Sequence, residues 1–255
     1  MRISIITVVF NNVATIADAI NSVVSQTYPD IEYIVIDGSS TDGTVELINE
    51  FKDRISIFIS EPDKGIYDAM NKGIKLASGD IIGILNSDDV YYDNSVLNKV
   101  VNTFENPLID ACYSDLFYVD RTDLNKVIRY WKSCDYKEEL LKEGWISPHP
   151  TFFARRNLYE KYGDFDLNYK LAADFELMIR FMCRYKIRTK YIPEVFVKMR
   201  IGGDTNKSMS NILKQNIEIY NALLKHNINV NAFYFFMNKF IARFLQFVAK
   251  PPIDA

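Results

Sequence analysis

Four short apolar runs, each closed by small and polar residues, organise the first part of the chain. Ile3 to Phe10 is β-branched and ends at Asn11-Asn12, and Glu32 to Ile36 runs into Asp37-Gly38-Ser39-Ser40-Thr41-Asp42-Gly43-Thr44. Ile55 to Ile59 precedes Glu61-Pro62-Asp63-Lys64-Gly65, and Ile81 to Leu85 ends in Asn86-Ser87-Asp88-Asp89. Runs this short, without helical spacing, predict buried strands. Between them the period changes. Ile16, Ile20, Val23 and Val24 recur at helical steps behind Thr15, a candidate N-cap. Val45, Leu47, Ile48 and Phe51 mark a second helix over roughly 43–53, and a third is expected over 66–77. Three successive strand–helix units predict a mostly parallel sheet, because each right-handed crossover returns the chain to the same end.

That topology gathers the strand ends. Asn11, Asp37, Lys64 and Asp88 all stand at or just past the carboxyl ends of successive strands, where an open α/β sheet keeps its ligand crevice. Asp88 and Asp89, with Asn86 and Ser87 beside them, are hard oxygen donors suited to Mg²⁺ or Mn²⁺ bridging to a phosphate, though the same residues also make a polar turn. Asp68 and Asn71 lie three apart on one helical face beside the crevice, within reach of ribose or sugar hydroxyls. Phe10-Asn11-Asn12 stands where a dinucleotide fold carries G-x-G-x-x-G, and no G-x-x-x-x-G-K-[ST] occurs. Rossmann oxidoreductase and P-loop readings therefore fall.

Past residue 90 the pattern loosens. A helix is expected over 95–104 and strands over 110–119 and 127–131, finishing the sheet in mixed fashion. Trp145 could stack on a sugar ring or fill the core. His149, between Pro148 and Pro150, reads as loop structure, an acceptor contact or a late metal ligand. Asp174 and Glu176 fall in the first turn of a helix, where acids also complement its dipole. Residues 198–208, with Gly202-Gly203, read as a flexible loop; as a lid it would offer Arg200 or Lys207 as a clamp on phosphates. A helix follows over about 208–226. Phe233, Phe236, Met237, Phe240, Ile241, Phe244, Leu245 and Val248 then recur at three- and four-residue steps among Lys239, Arg243 and Lys250. This stretch is too interrupted to span a bilayer, and fits a helix lying on the inner membrane surface, or one packed on the protein or on a second copy.

Composition narrows the class. With 255 residues the chain can hold one large α/β domain with an elaborated C-terminal part. A net charge of −3 implies no basic field for nucleic acid. Three cysteines without C-x-x-C spacing point to a reducing compartment, the cytoplasm, and the first apolar run is wrongly flanked for a signal peptide.

Ser4 to Asn11, Val35 to Thr44, Glu61 to Gly73 and Leu85 to Asp89, in this order and spacing, resemble the successive motifs of family 2 glycosyltransferases, over about residues 3–200. The nearest likeness is to bacterial enzymes that build O-antigen and exopolysaccharide repeat units. The resemblance implies a GT-A fold, an inverting mechanism and a nucleotide-sugar donor, UDP-hexose before GDP sugars. It implies that Asp37 hydrogen-bonds the nucleobase, with Thr7 and Phe10 lining its pocket, and that Asp88 is the principal ligand of Mn²⁺ or Mg²⁺; Lys64 either reaches donor phosphates as a point charge or is a solvated loop lysine. Asn86 stands where many members carry the first Asp of D-x-D, so the division of labour between Asp88 and Asp89 stays open. Asp174 matches the family's general base. The acceptor is then a sugar hydroxyl, on a glycan carried by a polyprenyl diphosphate lipid at the inner face of the membrane. The expected organisation is a catalytic domain over 1–204, with a nucleotide-binding half (1–90) and an acceptor-binding half (91–204), and a helical extension over 205–255. A catalytically silent sugar-binding subunit and a sugar nucleotidyltransferase are the rivals. A Gly-rich phosphate loop, which the second would need after strand one, is missing.

Overall fold

The computed structural model describes residues 1–143, 145–202 and 209–248. Strands β1 (Ile3–Val9), β2 (Ile31–Asp37), β3 (Ile57–Ser60) and β4 (Ile81–Ile84) are parallel and lie side by side in the order β3-β2-β1-β4. Between them run α1 (Ile16–Val24), α2 (Thr44–Asn49) and α3 (Ile66–Leu76). The sheet continues through β8 (Phe153–Arg155), β6 (Ala111–Val119), β9 (Thr189–Arg200) and β5 (Asp89–Tyr91), with β7 (Val127–Trp131) paired to β6. β8 is antiparallel to both β4 and β6, and β9 returns parallel to β6, so the sheet is mixed beyond β4. The remaining helices are α4 (Val96–Phe104), α5 (Glu138–Lys142), α6 (Arg156–Tyr162), α7 (Ala173–Ile179), α8 (Met209–Lys225) and α9 (Ala232–Val248).

Alternation along β1 explains the layers. Ile3, Ile5 and Val9 face one core with α1 and α4, whereas Ile6 and Val8 face the other with α3 and α7. Ile16, Ala19, Ile20 and Val23 of α1 are fully buried, and each Ile or Val contributes about 1.5–3 kcal/mol by leaving water. Gly83 marks the join of the two kinds of pairing. A Cβ there would lie 2.4 Å from the Phe153 ring, so only glycine lets β8 close against β4.

Thr15 precedes α1 as expected, but its hydroxyl forms no cap and donates instead to the Ser87 carbonyl (2.9 Å). The fourth apolar run ends sooner than its hydrophobicity implied, at Ile84, and Asp89 opens a new short strand. Residues 198–200, expected in a loop, continue β9, because that strand is paired with β6 on one side and β5 on the other. No helix among the described residues is long and apolar enough to cross a membrane.

Candidate active site

The strand ends converge as the topology requires. Val9 stands opposite Asp37 and Asp37 opposite Ser60, while the Leu85 N–H just past β4 donates to the Ile6 carbonyl at 2.9 Å. At this rim two residues take left-handed backbone, Asn11 (φ 45°) and Ser39 (φ 65°). They are held there by reciprocal bonds between the two loops: the Asn11 N–H donates to Ser40 Oγ (2.7 Å), and Asn11 Oδ1 accepts the Thr41 N–H (2.8 Å). Left-handed non-glycine residues cost of order 1 kcal/mol each, and such strain clusters at ligand sites.

Asp37 is fully buried. Its carboxylate accepts the Ser40 N–H (3.0 Å), the Ser40 hydroxyl and the Ser60 hydroxyl (2.6 Å), so the turn and the nucleobase role compete for the same oxygens. Beside it lies Gly38. A Cβ there would meet Asp63 Oδ2 at 2.5 Å and Phe10 Cδ2 at 3.3 Å, so the exposed Phe10 ring and the Asp63 carboxylate both close against the Gly38 backbone. Asp63 was not singled out from the sequence. Thr7, expected in this pocket, lies wholly in the core, where its hydroxyl accepts from Tyr33 (3.1 Å); its side chain cannot line the rim.

Lys64 is exposed in the turn before α3, and its N–H donates to Asp68 Oδ2 (3.0 Å), which also lies 4.0 Å from Lys72 Nζ. Asn71 is corrected outright. Its amide both accepts from and donates to the Phe165 backbone (2.9 Å each), so it clips the segment at Phe165 onto α3, and as a buried side chain it offers little to a sugar.

Asp88 is half-buried and Asp89 has no exposed surface. Burial and the neighbouring Asp88 charge push the Asp89 carboxyl well above the usual range, against the opposing hydrogen bonds from Asn86 and the Arg200 backbone. Asn86 Oδ1 and Asp89 Oδ1 are buried without a donor. An orphaned amide oxygen and carboxylate oxygen next to Asp88 make a hard-oxygen set that fits a divalent cation whose other ligands are phosphate oxygens and water. Arg200 is a strut rather than a lid clamp. It is 5% exposed and donates to the Asp88 carbonyl (2.9 Å), the Arg121 carbonyl (3.1 Å) and the Asp18 carboxylate (2.5 Å), so it fixes the backbone at Asp88 from beneath. Lys207 lies outside the described residues.

A cleft runs from here to α7. Asn86, Ile84 and Met70 line it from the first half of the chain, and His149, Phe152, Phe165 and Asp174 from the second. Asp174 accepts the Tyr67 hydroxyl on Oδ1 (2.9 Å), and its Oδ2 lies 3.2 Å from His149 Nδ1. Burial and the Asp174 charge hold the Tyr67 hydroxyl well above its ordinary pKa, so it stays a donor. Tyr67 was missed, although it stands one helical turn before Asn71 and shares its face.

Glu176 is no acceptor contact. It is 1% exposed, accepts from Arg180 (3.0–3.2 Å) and pairs with His226 Nε2 (2.8 Å). Trp145 is wedged edge-on against Tyr113 and tilted against Tyr136, in the packing between α7 and the sheet. The C-terminal helices buttress the site. Glu218 of α8 accepts the backbone N–H groups of Lys170, Leu171 and Ala172 (2.8–3.1 Å), serving the orphan donors where α7 begins, two residues before Asp174.

Known proteins share the family and the fold. The family model described as Glycosyl transferase family 2 matches residues 4–163. A PGL/p-HBAD biosynthesis glycosyltransferase of Mycobacterium bovis is 31% identical over 207 residues, spanning 80% of this chain and 78% of that protein. An uncharacterized glycosyltransferase of Rickettsia typhi is 29% identical over 232 residues, covering 88% of this chain and 71% of its own. Among solved structures, S. aureus TarS 1-349 in complex with UDP-GlcNAc superposes with a TM-score of 0.70 at 18% identity, over 100% of this chain and 77% of that one. The mannosyltransferase PcManGT of Pyrobaculum calidifontis, in complex with GDP-Man and Mn²⁺, gives 0.66 at 16% identity, over 98% and 76%. At these identities the structures establish a shared fold.

Proposed function

This chain belongs to glycosyl transferase family 2, and from that premise we propose that it moves a hexose from a UDP-sugar, with inversion and with help from a divalent cation, to a hydroxyl of a lipid-diphosphate-linked glycan. One observation carries the reading: Asn86, at the end of the nucleotide-side strand, and Asp174, at the head of α7, line one cleft.

The nucleobase lies against the exposed Phe10 ring, near Asp63 and with Asp37 behind it; Asn11 shapes the rim, and Lys64 and Asp68 stand at the start of α3 toward the donor. Asp88, with the orphaned oxygens of Asn86 and Asp89 nearby, would hold Mn²⁺ or Mg²⁺, which when bound neutralises charge on the departing diphosphate. Asp174 supplies the carboxylate on which removal of the acceptor proton depends, and the acceptor enters past His149. A structural relative holding UDP-GlcNAc favours a uridine donor, and one holding GDP-Man and Mn²⁺ supports the cation.

Residues 1–90 serve the donor, 91–204 the acceptor, and the segment over 205–255 supports the second half and meets the inner membrane surface. Phe233, Tyr234, Met237 and Ile241 are exposed on α9, whose sequence holds Lys239 and Arg243 and no acid. Such a surface suits a lipid-borne acceptor in cell-surface polysaccharide synthesis. Incubation with UDP-hexoses and Mn²⁺ should release UDP, faster with a polyprenyl-diphosphate sugar present; release of pyrophosphate from a sugar phosphate and UTP would instead mark a nucleotidyltransferase.

A further inference from the structure

The backbone from which Asp174 springs is held by residues far away in sequence. The residue before α7 is Ala172, with φ −142° and ψ 26°. Its methyl accepts no hydrogen bond, so the helix that carries Asp174 begins without a side-chain cap of its own. The N–H groups of Lys170, Leu171 and Ala172 turn instead to one carboxylate of α8. Glu218 Oε2 accepts all three, at 3.0, 2.8 and 3.0 Å, and Oε1 shares the Lys170 N–H at 3.1 Å. Successive N–H groups closing on one anion form a nest, and hydrogen bonds to a carboxylate are stronger than neutral ones.

The same tripeptide is gripped a second time. Gln215, one turn before Glu218 on the same face of α8, donates from Nε2 to the Leu171 carbonyl at 3.1 Å. Farther along α8, Lys225 Nζ lies 2.7 Å from Asp166 Oδ2, and His226 Nε2 lies 2.8 Å from Glu176 Oε1. α8 therefore touches the chain before, at and after the entry to α7, with Asp174 between the last two contacts. Its footing does not depend on Glu218, because Ile219, Ala222 and Leu223 are buried in one cluster with Phe175 and Ile179 of α7. From the other side the Tyr67 hydroxyl reaches Asp174 Oδ1. Burial and the Asp174 charge keep that hydroxyl protonated, and the Glu218 charge adds to them.

We propose that Glu218 is a positioning residue for Asp174, with Gln215 as its partner. The inference rests on the reading of Asp174 as the proton-accepting carboxylate and leaves that role where it is. A carboxylate that must meet an attacking hydroxyl works within a narrow range of place and angle, and a misplacement of about 1 Å can cost about 10²-fold in rate. Tyr67 fixes the tip of the Asp174 side chain, and Glu218 and Gln215 fix its root. The hydrogen bonds of Glu218 among the described residues all go to the 170–172 backbone, so donor binding does not depend on it.

Two measurements test this. Amide exchange followed by NMR in wild type and Glu218→Ala reads the contact itself. Exchange at Lys170, Leu171 and Ala172 should quicken in the variant; unchanged exchange would overturn the proposal. The second measurement is UDP release with water as acceptor, from the UDP-hexose that wild type consumes in the presence of Mn²⁺. Glu218→Ala should lose about 10²-fold in kcat with donor Kd unchanged, whereas Glu218→Gln, which keeps a carbonyl oxygen for the nest, should lose about tenfold or less. Leu223→Ala is the control, since it weakens the packing of α8 and leaves Glu218 in place; assayed well below its Tm, it should keep a kcat near that of wild type. If Leu223→Ala loses as much kcat as Glu218→Ala, Glu218 is merely structural and the proposal fails. It fails too if Glu218→Ala stays within about threefold of wild type. A wild-type protein that neither binds nor consumes any nucleotide sugar overturns the functional reading and this inference with it, and wild-type binding and turnover separate that failure from the others.

Discussion

The Tyr67 hydroxyl donates to Asp174 across 2.9 Å and joins α3 to the head of α7. A neutral hydroxyl bonded to a carboxylate contributes about 1.5–3 kcal/mol, more than a neutral pair, so the link can hold the carboxylate in one rotamer. Tyr67→Phe keeps the ring packed against Phe165 and removes only the bond. We expect kcat to fall about tenfold with donor Kd unchanged; steady-state kinetics beside calorimetry checks both, and a change confined to donor binding would place Tyr67 in the nucleotide site instead.

Gly38 packs against Asp63 and Phe10 at the proposed nucleobase site. Gly38→Ala brings a methyl to 2.5 Å from Asp63 Oδ2, and the Asp63 carboxylate, the end of a movable side chain, must swing away. The expected outcome is nucleotide affinity lowered about tenfold, or ~1.4 kcal/mol, with Tm almost unchanged. Unaltered affinity would mean that the base lies elsewhere.

Glu176 sits with Arg180 and His226 in a buried polar cluster joining α7 to the end of α8. Breaking one member of such a group leaves the others unpaired and costs about 3–5 kcal/mol. Glu176→Gln should lower the urea midpoint accordingly. Burial alone would raise this carboxyl, but the His226 and Arg180 contacts outweigh it, and the net shift is downward. A lowered folded-state pKa gives stability that is present above the unfolded carboxyl's value and lost as pH falls through the folded one. The gap between wild type and Glu176→Gln should therefore narrow as pH drops below about 4; a constant gap would contradict the assignment.

The exposed face of α9 makes a separate prediction. Replacing Phe233, Met237 and Ile241 together with Ser should abolish flotation with vesicles containing anionic lipid and leave donor binding intact. Equal flotation of both proteins would assign that face to something other than lipid.

How much of this was legible in the sequence differs from part to part. Strands β1 to β4 and their helices followed from period alone, because parallel strands buried on both faces read as uninterrupted apolar runs. β8 was missed because three residues carry no period, and β9 because Arg200 beside Gly202 looks like a loop until its two neighbours are known. The residues at strand ends, Asn11, Asp37 and Asp88, were placed by topology. Direction of side chains was not legible: Thr7 and Asn71 carry the right chemistry but turn it inward, to Tyr33 and Phe165. Glu218 shows the same limit at longer range. It reads as a surface acid of a late helix, and only the tertiary fold brings it to the backbone N–H groups that begin α7.

The central claim is that this site binds a nucleotide sugar through a divalent cation at Asp88. The direct measurement is calorimetric titration of the wild-type protein and Asp88→Ala with UDP, GDP and their hexose conjugates, each with Mn²⁺ and again with chelator. The account predicts that UDP and one UDP-hexose bind with Mn²⁺, and that chelator or Asp88→Ala weakens that binding by more than about tenfold. Binding of no nucleotide, or uridine binding that neither chelator nor Asp88→Ala alters, would contradict it.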